Sequence, residues 1–222
     1  HLNQVLIRPL DPLRIYDFAV RALRLKSETE GDAFFWKLAG GERLKTVFQK
    51  WEAAGADFEL FWSAPDIPRE NPNVYGSTSG NDDALWQEHV HNPRSMLQLA
   101  SNPYMLRMLL DVYIQFKGEL PTNRGQLFDQ FVNVLLAREK LAQIDAATNA
   151  VTLTDEGRAL LAGLQQVAFE MQVRRGGDVG AGTALDLAAV RRILNERLLY
   201  LAVSTSILNS GEEVRFSHQL LQ

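Results

Sequence analysis

The sequence predicts a mainly α-helical protein, in which a helical domain is followed by a winged-helix-like domain with a short β-hairpin. Three observations predict this fold class. Apolar residues recur at the three-and-four spacing of a helix face through most of the chain. Runs typical of strands are confined to its two ends. Near the C-terminus, two helical patterns precede apolar runs on either side of Asn209-Ser210-Gly211, which is the element order of a winged helix.

Composition and charge exclude several classes of protein. The 222 residues are 46% hydrophobic and 23% charged, which is typical of a globular chain. The net charge of −4 offers no general attraction to nucleic acid or to an anionic membrane. Cysteine is absent, so disulfides, thiolate zinc sites and cysteine nucleophiles are excluded together. No apolar run approaches the roughly 18 residues of a membrane span, and we therefore expect a soluble protein.

The helical domain is predicted over residues 11–143. Asp11-Pro12 places a capping carboxylate before a proline at the first position of a helix. Three buried faces are predicted in the first part of this domain: Ile15, Phe18, Ala19 and Ala22, then Leu44, Val47, Phe48 and Trp51 in a helix ended by Gly55, then Phe58, Phe61 and Trp62. Residues 63–83 are rich in proline, glycine and small polar residues, and they predict a long loop.

Asparagine-proline pairs divide the second part of the helical domain. Asn92-Pro93 is predicted to open a short helix, and Asn102-Pro103 to break and restart it, because a residue before proline disfavours the α region. A clean apolar stripe follows and ends at Gly118. The last helix of the domain is predicted to end near Gln143 and carries Phe128, Val132, Leu135 and Leu136 on one side.

The winged-helix-like domain is predicted over residues 150–222, after a small polar junction that includes Asp145–Asn149. Thr154-Asp155 and Asp186 are predicted helix starts. The second of these helices carries Leu187, Val190, Leu194 and Leu198. The domain stops abruptly after the strand-like Val214–Phe216, and the first residue of the chain is not methionine, so we expect an excised fragment.

Most candidate sites in the sequence have an ordinary structural interpretation. The chain lacks GxxxxGK[ST], HExxH, GxSxG and CxxC, so we do not expect catalysis by this chain alone. His89 and His91 are two residues apart and would not share a helix face, which favours solvated side chains over a metal site. Gly176–Gly182 lacks the strand and the lysine of a phosphate cradle, which favours a flexible loop.

Two basic doublets, Arg174-Arg175 and Arg191-Arg192, lie in the predicted winged helix. A winged helix can present such arginines to DNA. The acidic background and the lack of interleaved aromatic residues favour a solvated face or a protein interface instead. A winged-helix DNA-binding regulator with a helical sensing domain is therefore our alternative interpretation, and a purely structural adaptor is a third.

Pro103 and His218 have residue-level features that suit a nucleotide. A proline ring at a helix start is a flat apolar surface against which a purine can pack. A histidine directly after a strand can hydrogen-bond a phosphate oxygen. Their spacing alone favours a helix-start proline and a strand-end histidine without a ligand.

Three strings, in order, resemble the downstream half of a NACHT-type STAND NTPase. They are Leu99–Leu106 (LASNPYML), Leu120–Phe128 (LPTNRGQLF) and Val214–Gln222 (VRFSHQLLQ). In that family a P-loop core is followed by a small helical domain and then by a winged-helix domain. The resemblance implies that Pro103 contacts adenine, that Asn102 sets the turn before it, and that His218 contacts the phosphates of ADP.

The resemblance also implies what surrounds the chain. Residues 1–10 would be the end of a truncated nucleotide-binding core, and the rest of that core, with the groups that hold ATP or ADP and Mg²⁺, would lie upstream. The winged helix would close over bound nucleotide and control self-association of the full-length protein. NACHT-like proteins of bacterial character imply a cytoplasmic signalling role, including antiviral defence, without a membrane and without an expected nucleic-acid partner. The chain departs from the family pattern by lacking both Walker motifs and by its long 63–83 loop.

Overall fold

The computed structural model of the protein describes residues 9–24, 29–53, 57–63, 84–175 and 184–217. The predicted strand at Val5–Ile7, the predicted helix end at Gly55, residues 64–83 of the predicted loop and the glycine run Gly176–Gly182 lie outside these ranges. The described residues form two compact units that divide between Tyr113 and Ile114, here called the N-terminal unit and the C-terminal unit. The structure is mainly α-helical, which confirms the predicted fold class.

Helices make up the described part of the N-terminal unit. They are α1 (Pro12–Leu23), α2 (Glu30–Ala39), α3 (Glu42–Ala53), α4 (Phe58–Ser63), a π-helical turn (Gln87–His91), α5 (Met96–Ala100) and α6 (Pro103–Gln115). The C-terminal unit holds α7 (Arg124–Arg138), β1 (Ala142–Ile144), β2 (Val151–Leu153), α8 (Asp155–Arg175), β3 (Leu185–Asp186), α9 (Leu187–Arg191), α10 (Glu196–Ser204), β4 (Leu208–Ser210) and β5 (Glu213–Phe216).

The start of α1 is as predicted, but its buried face is narrower. The Asp11 carboxylate accepts the backbone N–H of Arg14 at 2.8 Å, and proline occupies the first turn. Ile15, Ala19 and Leu23 are buried. Phe18 and Ala22, which were predicted to share that face, are exposed, so the prediction was wrong for them. The buried residues repeat every four positions, which gives a single row of side chains rather than a broad stripe.

Helix α2 has no counterpart in the sequence prediction. Phe34, Phe35 and Trp36 are consecutive and all buried, so the helix is apolar around most of its circumference and shows no helical period. Asp32 ties α2 to its neighbour, since its carboxylate accepts from the Trp36 indole at 3.0 Å and from Lys45 Nζ at 2.7 Å.

An aromatic cluster forms the core of the N-terminal unit. Trp51, Phe61 and Trp62 are buried, as the sequence predicted. The ring centroids of Trp51 and Phe61 are 5.1 Å apart, and those of Phe61 and Trp62 are 4.8 Å apart, both edge to face. Such edge-to-face pairs are the favoured arrangement of aromatic rings.

The two asparagine-proline pairs have different structures. Asn92-Pro93 lies in a turn, where the Asn92 side chain accepts the N–H of Arg94 at 2.9 Å, and the following helix α5 is capped by Ser95 instead. The predicted helix start at Asn92-Pro93 was therefore wrong by a few residues. Asn102-Pro103 does restart a helix, as predicted. The apolar stripe that begins in α6 is buried throughout: Met105, Met108, Leu109, Val112 and Tyr113 in the helix, and Phe116 directly after it.

Helix α7 ends at Arg138 rather than near Gln143. Lys140 adopts a left-handed φ of 60°, which terminates the helix, and the chain continues into the antiparallel pair β1–β2. Asp145–Asn149, predicted as a polar junction, is the connection of this hairpin. The predicted apolar side of α7 is only partly buried, because Phe128 and Val132 are half-buried.

The C-terminal unit ends in a winged-helix-like arrangement of helices and short strands. Helix α8 begins after Thr154, whose hydroxyl accepts the N–H of Gly157 at 3.0 Å. The helix predicted after Asp186 is two helices, α9 and α10, because the Asn195 side chain starts the second by accepting the N–H of Leu198 at 2.9 Å. Strands β3, β5 and β4 form an antiparallel sheet in that spatial order. The predicted domain bounds, 11–143 and 150–222, stay a prediction.

Candidate functional site

The residues predicted to contact adenine lie in the turn between α5 and α6. The Asn102 Oδ1 atom accepts the backbone N–H groups of Tyr104 at 2.9 Å and Met105 at 3.3 Å, and so caps α6. Pro103 occupies the first position of this helix, where its missing N–H leaves no hydrogen bond unmade. Its ring is exposed. The arrangement presents a flat apolar surface on a fixed backbone.

The turn is fixed from both sides. Met105 and Leu106 anchor the start of α6 in the core. On the other side, the Leu10 N–H donates to the carbonyl oxygen of Ser101 at 2.7 Å, so the segment that leads into α1 runs directly beside the turn. A surface proline held in this way has little conformational freedom to lose when a ligand packs on it.

Tyr104 follows Pro103 and is half-buried. Burial raises the pKa of its phenol, so the group stays neutral at physiological pH. Sequence spacing gave no signal for Tyr104, since a tyrosine at a helix start is ordinary. It adds a neutral aromatic ring to the same turn.

His218, the predicted phosphate contact, lies outside the described residues. The strand before it is placed: the Ser217 N–H donates to the Ile207 carbonyl oxygen at 2.9 Å. The described structure therefore places Asn102 and Pro103 but leaves the role of His218 a prediction.

One of the arginines considered for DNA contact, Arg191, is engaged with a carboxylate. Arg191 Nε lies 2.9 Å from the Glu196 carboxylate, and Arg192 lines a cavity of about 230 Å³ together with Glu170. The side chains of Arg174 and Arg175 lie outside the described part of the chain.

Helix α10 occupies the place of a recognition helix in a winged helix. Its Arg197 guanidinium donates to both oxygens of Glu156, at 2.7 and 3.3 Å. This pairing lowers the pKa of Glu156 and raises that of Arg197. The hairpin that forms the wing carries Glu212 and Glu213 at its tip. The tip of the wing is therefore acidic, and the Arg197 side chain of α10 is paired with a carboxylate.

His89 lies in the π-helical turn, with its ring against Gly40. A Cβ at Gly40, where φ is +129°, would approach the ring within 2.7 Å. This close packing is a structural role for His89. The side chain of His91 lies outside the described residues. Over the residues that the structure describes, no group of three or more histidine or acidic side chains is placed to hold a metal ion.

A second candidate site, which no sequence pattern indicated, is a cavity of about 450 Å³ between the start of α1 and helix α4. Its lining residues are Asp11, Pro12, Leu13, Arg14, Phe58, Glu59, Trp62 and Ser63. Only the tertiary contact between two helices 35 or more residues apart along the chain creates it, so local spacing could not reveal it.

Comparisons with known proteins do not indicate a function for the chain. No protein-family model, no curated protein and no solved structure matches the chain. Within its described residues, no helix is both long enough and apolar enough to cross a membrane.

Proposed function

We propose that the chain is the regulatory helical and winged-helix portion of a NACHT-like signalling ATPase. In this proposal it closes over ADP or ATP bound to an upstream P-loop core and controls oligomerisation of the whole protein, in a cytoplasmic role that includes bacterial defence. The observation that carries the proposal is the exposed Pro103 ring, held at the first position of α6 by the Asn102 cap.

The residues at this turn fit the adenine part of a nucleotide. A rigid apolar ring beside a neutral, half-buried tyrosine suits the face of a purine and offers no charge to a phosphate. The phosphates and Mg²⁺ would be held by the P-loop core that the resemblance implies upstream. His218 would contact the phosphates from the winged helix. The chain's own contribution is then to recognise adenine and to close the nucleotide site.

The winged-helix arrangement of the C-terminal unit supports the same proposal. Helices α8, α9 and α10 with the β3–β5–β4 sheet follow the helical domain, in the order that the resemblance implies. A ligand can bias such a switch only through contacts that differ between two states. In this proposal those contacts are made by Pro103 and His218, and loss of either would favour the open state.

Retention of ADP by the complete protein tests the proposal. The reading frame upstream is first examined for GxxxxGK[ST]. We then expect Pro103→Ala and His218→Ala to lose copurifying ADP, measured by chromatography of the denatured protein. Pro93→Ala, in the other asparagine-proline turn, is the matched control and should retain ADP. Unchanged nucleotide content in both test variants, or the absence of any P-loop upstream, would contradict the proposal.

A further inference from the structure

The cavity between α1 and α4 has the size and the apolar lining of a small-molecule site. Its volume of about 450 Å³ lies in the range of such sites. Its apolar lining comes from Pro12, Leu13, Phe58 and Trp62. Leu13 is 46% exposed although it is a large apolar residue, so the cavity leaves hydrocarbon surface open to solvent. Covering that surface with the hydrocarbon part of a ligand is favourable.

The charged groups of the lining leave one carboxylate unbalanced. Asp11 and Arg14 neutralise each other, since the Arg14 Nε atom lies 3.3 Å from the Asp11 carboxylate. The same carboxylate accepts the Arg14 backbone N–H at 2.8 Å, which fixes it in place. Glu59 is exposed, and its carboxylate makes no ion pair or hydrogen bond with the residues that the structure describes. A cationic ligand can therefore pair with Glu59 without displacing a described side chain.

Ser63 supplies a hydroxyl on the same side of α4 as this carboxylate. It lies four residues after Glu59, and residues at this spacing are neighbours on one helix face. Both residues line the cavity. Carboxylate and hydroxyl oxygens accept hydrogen bonds, and an ammonium group carries three donors and no acceptor. The polar side of the cavity therefore suits a primary ammonium group, and its negative balance disfavours an anion.

We propose that this cavity binds a small primary amine, in its ammonium form, with an aromatic or branched hydrocarbon body. The ammonium group pairs with Glu59, and the hydrocarbon body covers Leu13 and the neighbouring apolar lining. Asn102 and Pro103 are not among the lining residues, so the site is separate from the proposed nucleotide contact. Its test uses the chain itself and does not depend on the proposed function.

Phenethylamine is a suitable probe, because it is protonated at neutral pH and carries a planar hydrocarbon ring. We expect it to shift backbone N–H resonances of α1 and α4 in the ¹⁵N-labelled chain saturably, with a Kd of about 1 mM for a ligand of this size. Hydrocinnamate has the same ring but a negative charge, and phenethyl alcohol has no charge. Each should bind at least about threefold more weakly, which is the scale of an exposed ion pair.

Two pairs of variants test the charge and the hydrocarbon surface separately. Glu59→Gln removes the charge and should weaken phenethylamine binding at least about threefold, whereas Glu52→Gln, exposed on α3 outside the lining, should not. Leu13→Asn removes hydrocarbon from the lining and should also weaken binding, whereas Leu60→Asn, on α4 but outside the lining, should not. All four side chains are exposed, so we expect each variant to fold.

Three results would overturn the proposal. The first is that phenethylamine shifts no resonance of α1 or α4. The second is that hydrocinnamate binds as tightly as phenethylamine. The third is that Glu59→Gln binds phenethylamine as tightly as the wild-type chain does.

Discussion

At the scale of single residues, the Asn102 side chain decides where α6 begins and so where the Pro103 ring is held. One oxygen accepts two backbone N–H groups at the start of the helix, at 2.9 and 3.3 Å. Alanine cannot accept either bond, so we expect Asn102→Ala to lower the free energy of unfolding by about 1 kcal/mol. Urea denaturation measures the loss. Asp is an equally good cap, and Asn102→Asp should unfold at nearly the wild-type urea concentration; equal loss in both variants would argue against capping.

Asp145 gives a residue-scale prediction for pH. Hydrogen bonds from Thr148 and the N–H of Ala147 lower the pKa of this carboxyl below its ordinary 3.8. A carboxyl whose pKa is lower in the folded state than in the unfolded state stabilises the protein at any pH above the unfolded-state pKa. This stabilisation is lost as the pH falls through the folded-state pKa.

The variant Asp145→Asn keeps an acceptor oxygen but removes the charge. We expect it to be less stable than wild type near neutral pH, and the difference should shrink once the pH falls below 3.8. Asp145→Ala, which removes the acceptor as well, should be less stable at every pH. Thermal unfolding between neutral and acidic pH measures both effects. A wild-type advantage over Asp145→Asn that persists in acid would contradict this account.

At the scale of elements, the approach of α1 and α2 depends on a glycine. A Cβ at Gly31 would overlap the backbone of Val20, so no larger residue fits without a shift of one helix. We expect Gly31→Ala to cost about 1–3 kcal/mol of stability through overpacking. Gly125→Ala, near the start of α7, is the matched control. Its Cβ would meet only the Asn123 side chain at 3.3 Å, and alanine is the better helix former.

Chemical denaturation of the two glycine variants separates helix propensity from packing. Propensity alone would stabilise both variants, whereas the overlap with the Val20 backbone requires Gly31→Ala to be destabilised. A Gly31→Ala protein as stable as wild type would mean that α1 and α2 can separate without cost.

The elements also show what sequence patterns could and could not reveal. Single-faced helices such as α3, and caps such as Asp11 and Asp186, were predictable because one local signal defines each. Helix α2 was missed because its buried aromatic run has no period. The β1–β2 hairpin was missed because its strands are three residues long, too short for an alternating pattern to emerge. The cavity beside Trp62 depends on tertiary contact and leaves no local signal.

At the scale of the whole molecule, the balance of charge bears on the alternative of a DNA-binding regulator. The winged helix itself favours that alternative, but the net charge is −4 and the described arginines of α9 and α10 lie beside carboxylates. We expect no salt-dependent binding to duplex DNA in an anisotropy titration, since phosphate contacts would produce a steep salt dependence. Binding that weakens with salt and is lost in the double variant Arg191→Ala, Arg192→Ala would instead favour the regulator.

The aromatic cluster has a practical consequence for following this protein in solution. Its Trp36, Trp51, Trp62 and Trp86 are all the tryptophans of the chain, and they belong to the N-terminal unit. Intrinsic tryptophan fluorescence therefore reports only on that unit. The winged helix contains no tryptophan and a single tyrosine, Tyr200, so its melting has no tryptophan signal of its own and is better followed by circular dichroism recorded in parallel.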